Sequence, residues 1–321
     1  MIYYLLRRVG LVAASVVALT GLVFLATNLL PGNPAIAILG KEAKPEKVLV
    51  IQEALGLNED IVTRYLKWLG NALQFDFGRS ITQGLDAFSN QKTLGTPVSE
   101  LIISPLKNSI FLASISLTLL IILTLLIGAY TALRAGSKID KSIQIVGLLF
   151  ISLPEFILGA ILIILFCFLI PVFPAVSFTV TPSNLVLPVT TLVLSMIGST
   201  MRLVRVGVIE VLKTNFVITA RLRGIPERLI IRKYLLPNAL APTLQIFAIA
   251  AGLFVGGMVV VEYLFGYPGI GSGFVSAVAG RDYPLVQAYA AILCGTYVIA
   301  NFVVDIITFF VNPKLRSLRL S

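Results

Sequence analysis

An all-α membrane protein with six spanning helices is the fold this sequence predicts. Three observations carry the expectation. The chain of 321 residues is 57% hydrophobic and only 12% charged, and a bilayer is the solvent that accommodates so much apolar surface. Six apolar segments reach the roughly 20 residues a helix needs to cross hydrocarbon. Basic residues gather in alternate connections between those segments, and so on one side of the membrane, the pattern of the positive-inside bias.

The segments lie near 9–30, 107–133, 142–170, 186–207, 240–263 and 286–311. The first follows Arg7-Arg8 and carries no charge through Gly40. A cleaved signal peptide would have an apolar region of about 7–15 residues, so a retained helix with a cytoplasmic N-terminus is expected. In that orientation the inner pieces 1–8, 134–141, 202–239 and 312–321 hold 16 of the 25 Lys and Arg. The short outer loop 171–185 holds none, and 264–285 holds only Arg281. Both termini are therefore expected in the cytoplasm. The net charge of +10 is a topology signal, not a nucleic-acid footprint.

Residues 31–106 form the one large external loop. Leu30-Pro-Gly-Asn-Pro34 stops the first helix. Pro45 to Leu55, closed by Gly56, reads as a short helix, and Asn58 as the N-cap of a second. In that second helix Val62, Tyr65, Leu66, Leu69 and Leu73 form an apolar stripe expected to pack on the protein's outer surface. Thr82 to Thr96 is polar without periodicity and reads as an extended excursion.

The loop 208–239 is basic and of mixed polarity. Thr219-Ala-Arg-Leu-Arg-Gly224 reads as a short helix ended by glycine, which adopts left-handed backbone at little cost. Phe216, Ala220 and Gly224 recur every four residues and share a face. Pro226 suits the first turn of another helix. From the residues alone, this is either a docking element or an amphipathic connector on the membrane surface.

With Glu210, Ala220, Gly224 and Pro237-Asn-Ala239 at their spacing, the stretch resembles the glutamate-alanine-alanine loop of bacterial ABC-transporter permease subunits. Tyr4-Leu-Leu-Arg-Arg8, Leu29-Leu-Pro-Gly-Asn-Pro34, Leu55-Gly-Leu-Asn58 and Tyr65-Leu-Lys-Trp-Leu-Gly70 resemble the peptide/nickel branch of those permeases. So do Phe75-Asp-Phe-Gly-Arg-Ser80, Ser152-Leu-Pro-Glu-Phe156, Val259 through Gly271, Arg281-Asp-Tyr-Pro-Leu-Val-Gln287 and Asn301-Phe-Val-Val-Asp305. The early proline-rich motif and large first loop resemble the B-type subunit of dipeptide and oligopeptide systems. The segment from Thr82 to Thr96 does not match.

The resemblance implies a type I importer permease in the bacterial inner membrane, moving di- or oligopeptides. Nickel, opines or oligosaccharides are its family alternatives. It implies three kinds of protein partner: a second homologous permease, ATPase subunits and an extracytoplasmic solute-binding protein. It also implies that Glu210, Phe216, Ala220, Arg221, Gly224 and Glu227 belong to the loop that docks on the ATPase.

The chemistry absent from the chain agrees with a permease. There is no G-x-x-x-x-G-K-[ST] phosphate loop. Gly266-Tyr-Pro-Gly-Ile-Gly-Ser-Gly273 lacks the lysine and reads as a re-entrant or outer-gate loop. No histidine exists, which excludes His-dependent triads and His-ligated metals. A serine-type intramembrane protease would lack its base, and an aspartyl type would need a second membrane aspartate beside Asp305. A secondary transporter would be expected to show internal repeats, and none is evident. No cofactor and no metal site is expected. Cys167 and Cys294 lie in apolar segments, so no disulfide framework is expected.

Charges inside a membrane are costly and face cavities or partners. Glu155, after Pro154, is either a lining of the substrate path or a carboxylate hydrogen-bonded between helices. Glu262 ends the fifth segment, where gating and solvent exposure are the alternatives. Asn301 and Asp305 share one face of the sixth and read as a packing pair. Ala248, Gly252 and Gly256 form a small-residue stripe suited to close helix approach, within the subunit or between subunits.

Overall fold

The computed structural model describes residues 2–29, 45, 48–49, 52, 59–80, 82, 95–231, 233 and 236–311. Among them the regular structure is helical, with one isolated bridge between Arg79 and Pro97. In chain order the helices are α1 (Ile2–Leu29), α2 (Ile61–Ala72), α3 (Val98–Leu133), α4 (Lys138–Ser152) and α5 (Glu155–Ile163). After α5 a wide π turn runs over Ile164–Leu169. Then come α6 (Pro182–Leu212), α7 (Asn215–Leu222), α8 (Glu227–Ile230), α9 (Leu236–Leu264), α10 (Ile270–Ala279) and α11 (Tyr283–Val311).

Among the described residues five helices are long and apolar enough to cross a membrane: α1, α3, α6, α9 and α11. The pair α4–α5 makes a sixth span if counted as one, but it is bent by 103°. Here the structure departs from the uninterrupted segment expected over 142–170. Proline disfavours helical backbone in the residue before it, and Leu153 is accordingly extended (φ −100, ψ 125). Pro154 (φ −57, ψ 149) then starts α5.

The chain groups into two compact units. The first comprises Met1–Ser109 and Pro268–Val298. In it α2 is capped by Asp60, whose carboxylate accepts the Val62 N–H at 3.1 Å. Asn58, the cap expected from the sequence, lies outside the described residues, as do most of 45–55 and of the excursion after Thr82. A core of Phe77, Val98, Ile102, Ile270, Leu285 and Tyr289 forms around α10 and the start of α11. The Tyr289 ring lies 2.6 Å from where a Cβ would stand on Gly273, so only glycine fits there. Asp282 is fully buried and gathers three donors from the chain between α2 and α3: the Ser80 hydroxyl, the Thr82 hydroxyl and the Thr82 N–H. Its other oxygen accepts the Leu285 N–H and caps α11.

The second unit comprises Ile110–Tyr267 and Ile299–Ser321. Its core joins α3, α5, α6 and α9 through Leu112, Leu120, Leu162, Leu192, Phe254 and Val261. Helices α4 and α6 approach closely: a Cβ on Gly198 would collide with the Gly147 carbonyl oxygen. Two turns along each helix, Asp140 receives a two-point bond from Arg205, Nε to Oδ1 at 2.8 Å and Nη2 to Oδ2 at 2.7 Å. Small residues at such a seam allow close backbone approach in lipid.

The stripe on α9 is looser. A Cβ on Gly256 would meet nothing within 4 Å, and one on Gly252 would lie 3.7 Å from the Asn301 amide. Hydroxyls inside the spans mostly bond their own helix, as Thr124 to the Leu120 carbonyl and Thr200 to the Met196 carbonyl. Such back-bonding lets polar residues sit in hydrocarbon without a partner helix.

Gly198→Ala should therefore force α4 and α6 apart and destabilise the protein by about 1–3 kcal/mol. Gly256→Ala should be neutral within about 0.5 kcal/mol. Thermal denaturation of the purified variants, followed by loss of monodisperse protein, checks the contrast. Equal behaviour would deny that the seam is tight.

Candidate functional site

The loop after α6 is a small folded element. Thr214 turns the chain with extended backbone (φ −72, ψ 147) and starts α7. The α7 terminus is closed by two backbone bonds, Gly224 N–H to the Arg221 carbonyl and Ile225 N–H to the Ala220 carbonyl. This 5→2 and 6→1 pairing requires left-handed backbone at the residue after the cap, and Gly224 has φ +71. Pro226 caps α8. Val217, Ala220 and Ile230 are buried together, with Ile225, Val211 and Leu212 packed against them.

That core decides which side chains face outward. Ala220 is inside, so its small size serves the packing of α7 on α8. Phe216, Ile218, Leu222 and Leu229 are exposed, Leu222 most of all at 83%. Arg221 pairs with Glu227 at 2.6 Å, both of them half exposed. An exposed pair of this kind contributes about 0–1 kcal/mol. Glu210 is exposed in the last turn of α6. A carboxylate there opposes the negative end of the helix dipole, so helix stability does not explain it. The space beside Gly224 is open, with nothing within 4 Å of where a Cβ would stand; its requirement for glycine is purely conformational.

The loop is carried on α6, and α6 is fixed to α4 by the Asp140–Arg205 pair, which sequence reasoning missed. Its signal was present: Ser137-Lys-Ile-Asp140 is an [ST]-x-x-[DE] capping pattern before an apolar run. The Ser137 hydroxyl does accept the Asp140 N–H, and Asp140 accepts the Gly136 N–H. What spacing could not reveal is the partner 65 residues away.

The two membrane glutamates have different surroundings. Glu155 is half buried in the first turn of α5, directly after the bend. Its Oε1 lies 3.1 Å from where a Cβ would stand on Gly257 of α9. Among the described residues it has no hydrogen-bond or ion-pair partner. Glu262 is fully buried near the end of α9, which removes solvent exposure as its setting. Burial first, and then the Glu262 charge, raise the nearby Tyr267 phenol to about 12. Asn301 lies beside Gly252, while the side chain of Asp305 falls outside the described residues. Among those residues no group of His, Cys, Asp or Glu could hold a metal ion, and both cysteines are free.

The Gly266–Gly273 turn has the backbone of a tight return. Gly266 is left-handed (φ +60), and a Cβ there would meet Val176 at 2.8 Å. The Ser177 N–H bonds the Phe265 carbonyl at 2.7 Å. Farther along the turn, the Asn108 amide donates to the Pro268 carbonyl at 2.8 Å, and the Ile270 N–H donates to the Ser109 hydroxyl at 2.8 Å. Gly266 serves turn geometry, while Gly273 makes room for the Tyr289 ring.

Arg205→Ala should strand the buried Asp140 charge and cost about 3 kcal/mol or more. The double variant Asp140→Ala with Arg205→Ala should lose less than the sum of the single losses. Survival of the folded protein after heating in detergent, across this cycle at neutral pH, checks both statements; additive losses would contradict them.

Comparison with known proteins gives this geometry its context. Residues 124–317 match the family described as binding-protein-dependent transport system inner membrane component, and residues 1–88 match that family's N-terminal region. The chain is 30% identical to the metal-staphylopine import system permease protein CntB of Staphylococcus aureus, covering 99% of each chain. It is 32% identical to the oligopeptide transport system permease protein AppB of Bacillus subtilis, over 98% of this chain and 99% of the relative. A putative peptide transport system permease protein of Brucella abortus is 33% identical over 97% and 98%. Family matches at both ends of the chain and full-length relatives agree: this chain belongs to the inner-membrane permease components of binding-protein-dependent ABC transport systems.

Proposed function

We propose that this permease subunit moves di- or oligopeptides into the cell, that α7 and α8 receive the ATPase, and that Glu155 lines the solute path. As a permease it is not itself an enzyme; a separate ATPase subunit hydrolyses ATP, and a solute-binding protein delivers cargo. The peptide assignment is supported by the oligopeptide and peptide permeases among the relatives. The metal-staphylopine relative favours a second reading, a metal–opine-type complex as cargo. A second homologous permease completes the pathway in this reading. The basic excess on 1–8, 134–141, 202–239 and 312–321 supports placing the loop and both termini in the cytoplasm.

One observation carries the coupling role. A folded element, its small core completed by Val211 and Leu212 of α6, directs Phe216, Ile218 and Leu222 outward, which a bare connector has no need to do. Glu155 supports the path reading by its half-exposed carboxylate beside Gly257.

Gly224→Leu should strain the left-handed turn by roughly 1–2 kcal/mol and splay α7 from α8. The expected result is a permease inserted in normal amounts that retains little ATPase on co-purification and does not transport. In the same assay, Glu155→Gln should keep the ATPase and lower uptake of a labelled tripeptide. Parent-level ATPase retention and uptake by Gly224→Leu would refute the coupling role. Uptake of a metal–opine complex but of no peptide would favour the second reading.

A further inference from the structure

Helix α2 lies in the chain's large loop; Trp68 and Ala72 pack against the Phe77–Val98 core, yet Tyr65 reaches the middle of a membrane span. The Tyr65 hydroxyl donates to the Val17 carbonyl at 2.7 Å and lies 2.9 Å from the Thr20 hydroxyl. The Tyr65 ring stands 3.6 Å from the Cβ position of Gly21. The Phe24 ring is 5.5 Å from Tyr65 and 6.0 Å from Trp68. Val17 and Thr20 sit midway along Arg8–Asn28, the apolar stretch of α1. At 1.5 Å per residue, Thr20 is about 12 Å short of the Asn28 end. The Tyr65 side chain covers part of that distance, leaving the α2 backbone near the depth of about 5–10 Å at which interfacial amphipathic helices lie.

The faces of α2 fit that depth. Tyr65 and Trp68 turn to α1. On one flank Val62, Leu66 and, just past the helix, Leu73 are 59%, 60% and 80% exposed. On the other flank stand Thr63, Asn71 and Lys67, which pairs with Glu59 at 2.6 Å. After Leu73 the chain turns at Phe75, a left-handed residue (φ +63) whose ring is 75% exposed. In water, a helix with one face already packed would gain nothing from an apolar flank and an exposed phenylalanine. At a bilayer boundary those groups enter hydrocarbon while the opposite flank stays among headgroups.

We propose that α2 is an interfacial membrane helix, hydrogen-bonded to α1 through Tyr65. Val62, Leu66, Leu73 and Phe75 enter the acyl chains of one leaflet, and Thr63, Lys67 and Asn71 face water. The covering partner is lipid. On α1, Leu22 and Leu25 are also exposed. This replaces the expectation that the whole stripe packs on the protein's outer surface: Tyr65 packs on α1 and Leu69 is half buried, whereas Val62, Leu66 and Leu73 are exposed. Only the choice of leaflet rests on the orientation proposed above.

The test uses the assembled transporter in proteoliposomes, with Cys167→Ser and Cys294→Ser as background. Nitroxide labels are placed singly at Leu66→Cys, Leu73→Cys, Thr63→Cys and Asn71→Cys. All four positions are on exposed flanks, and retained uptake verifies each variant. The ratio of collision with oxygen to collision with a water-soluble nickel chelate should be several-fold higher at 66 and 73 than at 63 and 71. Equal nickel access at all four would overturn the proposal. Closure of 66 and 73 to both reagents would also overturn it, by showing a protein cover. A membrane-impermeant maleimide applied from outside should react at Thr63→Cys; reaction from inside alone would overturn the orientation and leave the depth result standing.

Discussion

The seam between α4 and α6 is the constraint on which the rest of the second unit depends. Its two fastenings differ in kind. At Gly147 and Gly198 the helix backbones meet with no room for a methyl group. At Asp140 and Arg205 a buried two-point ion pair joins the same helices two turns away. Lipid provides no hydrophobic drive for helices to associate, so packing and polar contacts must supply it. One end of this pair bears the α7–α8 element, and the other reaches the bend at Leu153–Pro154 and Glu155. The element expected to receive the ATPase and the carboxylate expected on the path are thus attached to one pair of helices.

Polar groups in the spans separate by their bonding. Thr124, Thr131, Thr191 and Thr200 bond carbonyls of their own helices and require no functional explanation. Asp282 is consumed by capping and by holding Ser80 and Thr82. Glu262 is enclosed beside Tyr267. Glu155 is different: half exposed, without a described partner, and set against a glycine on α9. Desolvating a carboxylate is costly, and Glu155 is only half buried.

Much of the fold was legible because hydrocarbon permits so few solutions. Runs of about 20 apolar residues give the long helices, and glycine at 224 gives the end of α7. The bend after Ser152 was legible only in part. Pro154 announces a break, but its 103° depends on how α5 packs against α6 and α9. The glycine stripe on α9 meets no tight contact among the described residues; G-x-x-x-G spacing marks a surface able to pack closely and does not name the surface it meets, within the subunit or between subunits. The tight contact involves Gly147 and Gly198, single glycines without a motif. In the candidate site, helix and turn could be read, but not the inward direction of Ala220, which is fixed by Ile230 from the next helix. Asp140 and Arg205 stayed hidden because a long-range pair leaves no spacing signature.

The central claim is that the α7–α8 element contacts the ATPase through its outward residues. A photo-crosslinking amino acid placed at Leu222 in the assembled transporter tests it most directly, with buried Val217 as the inward control. Capture of the ATPase subunit from position 222, and not from 217, is the predicted result. No capture from 222, with capture instead from Leu66 on α2, would contradict both the coupling assignment and the orientation.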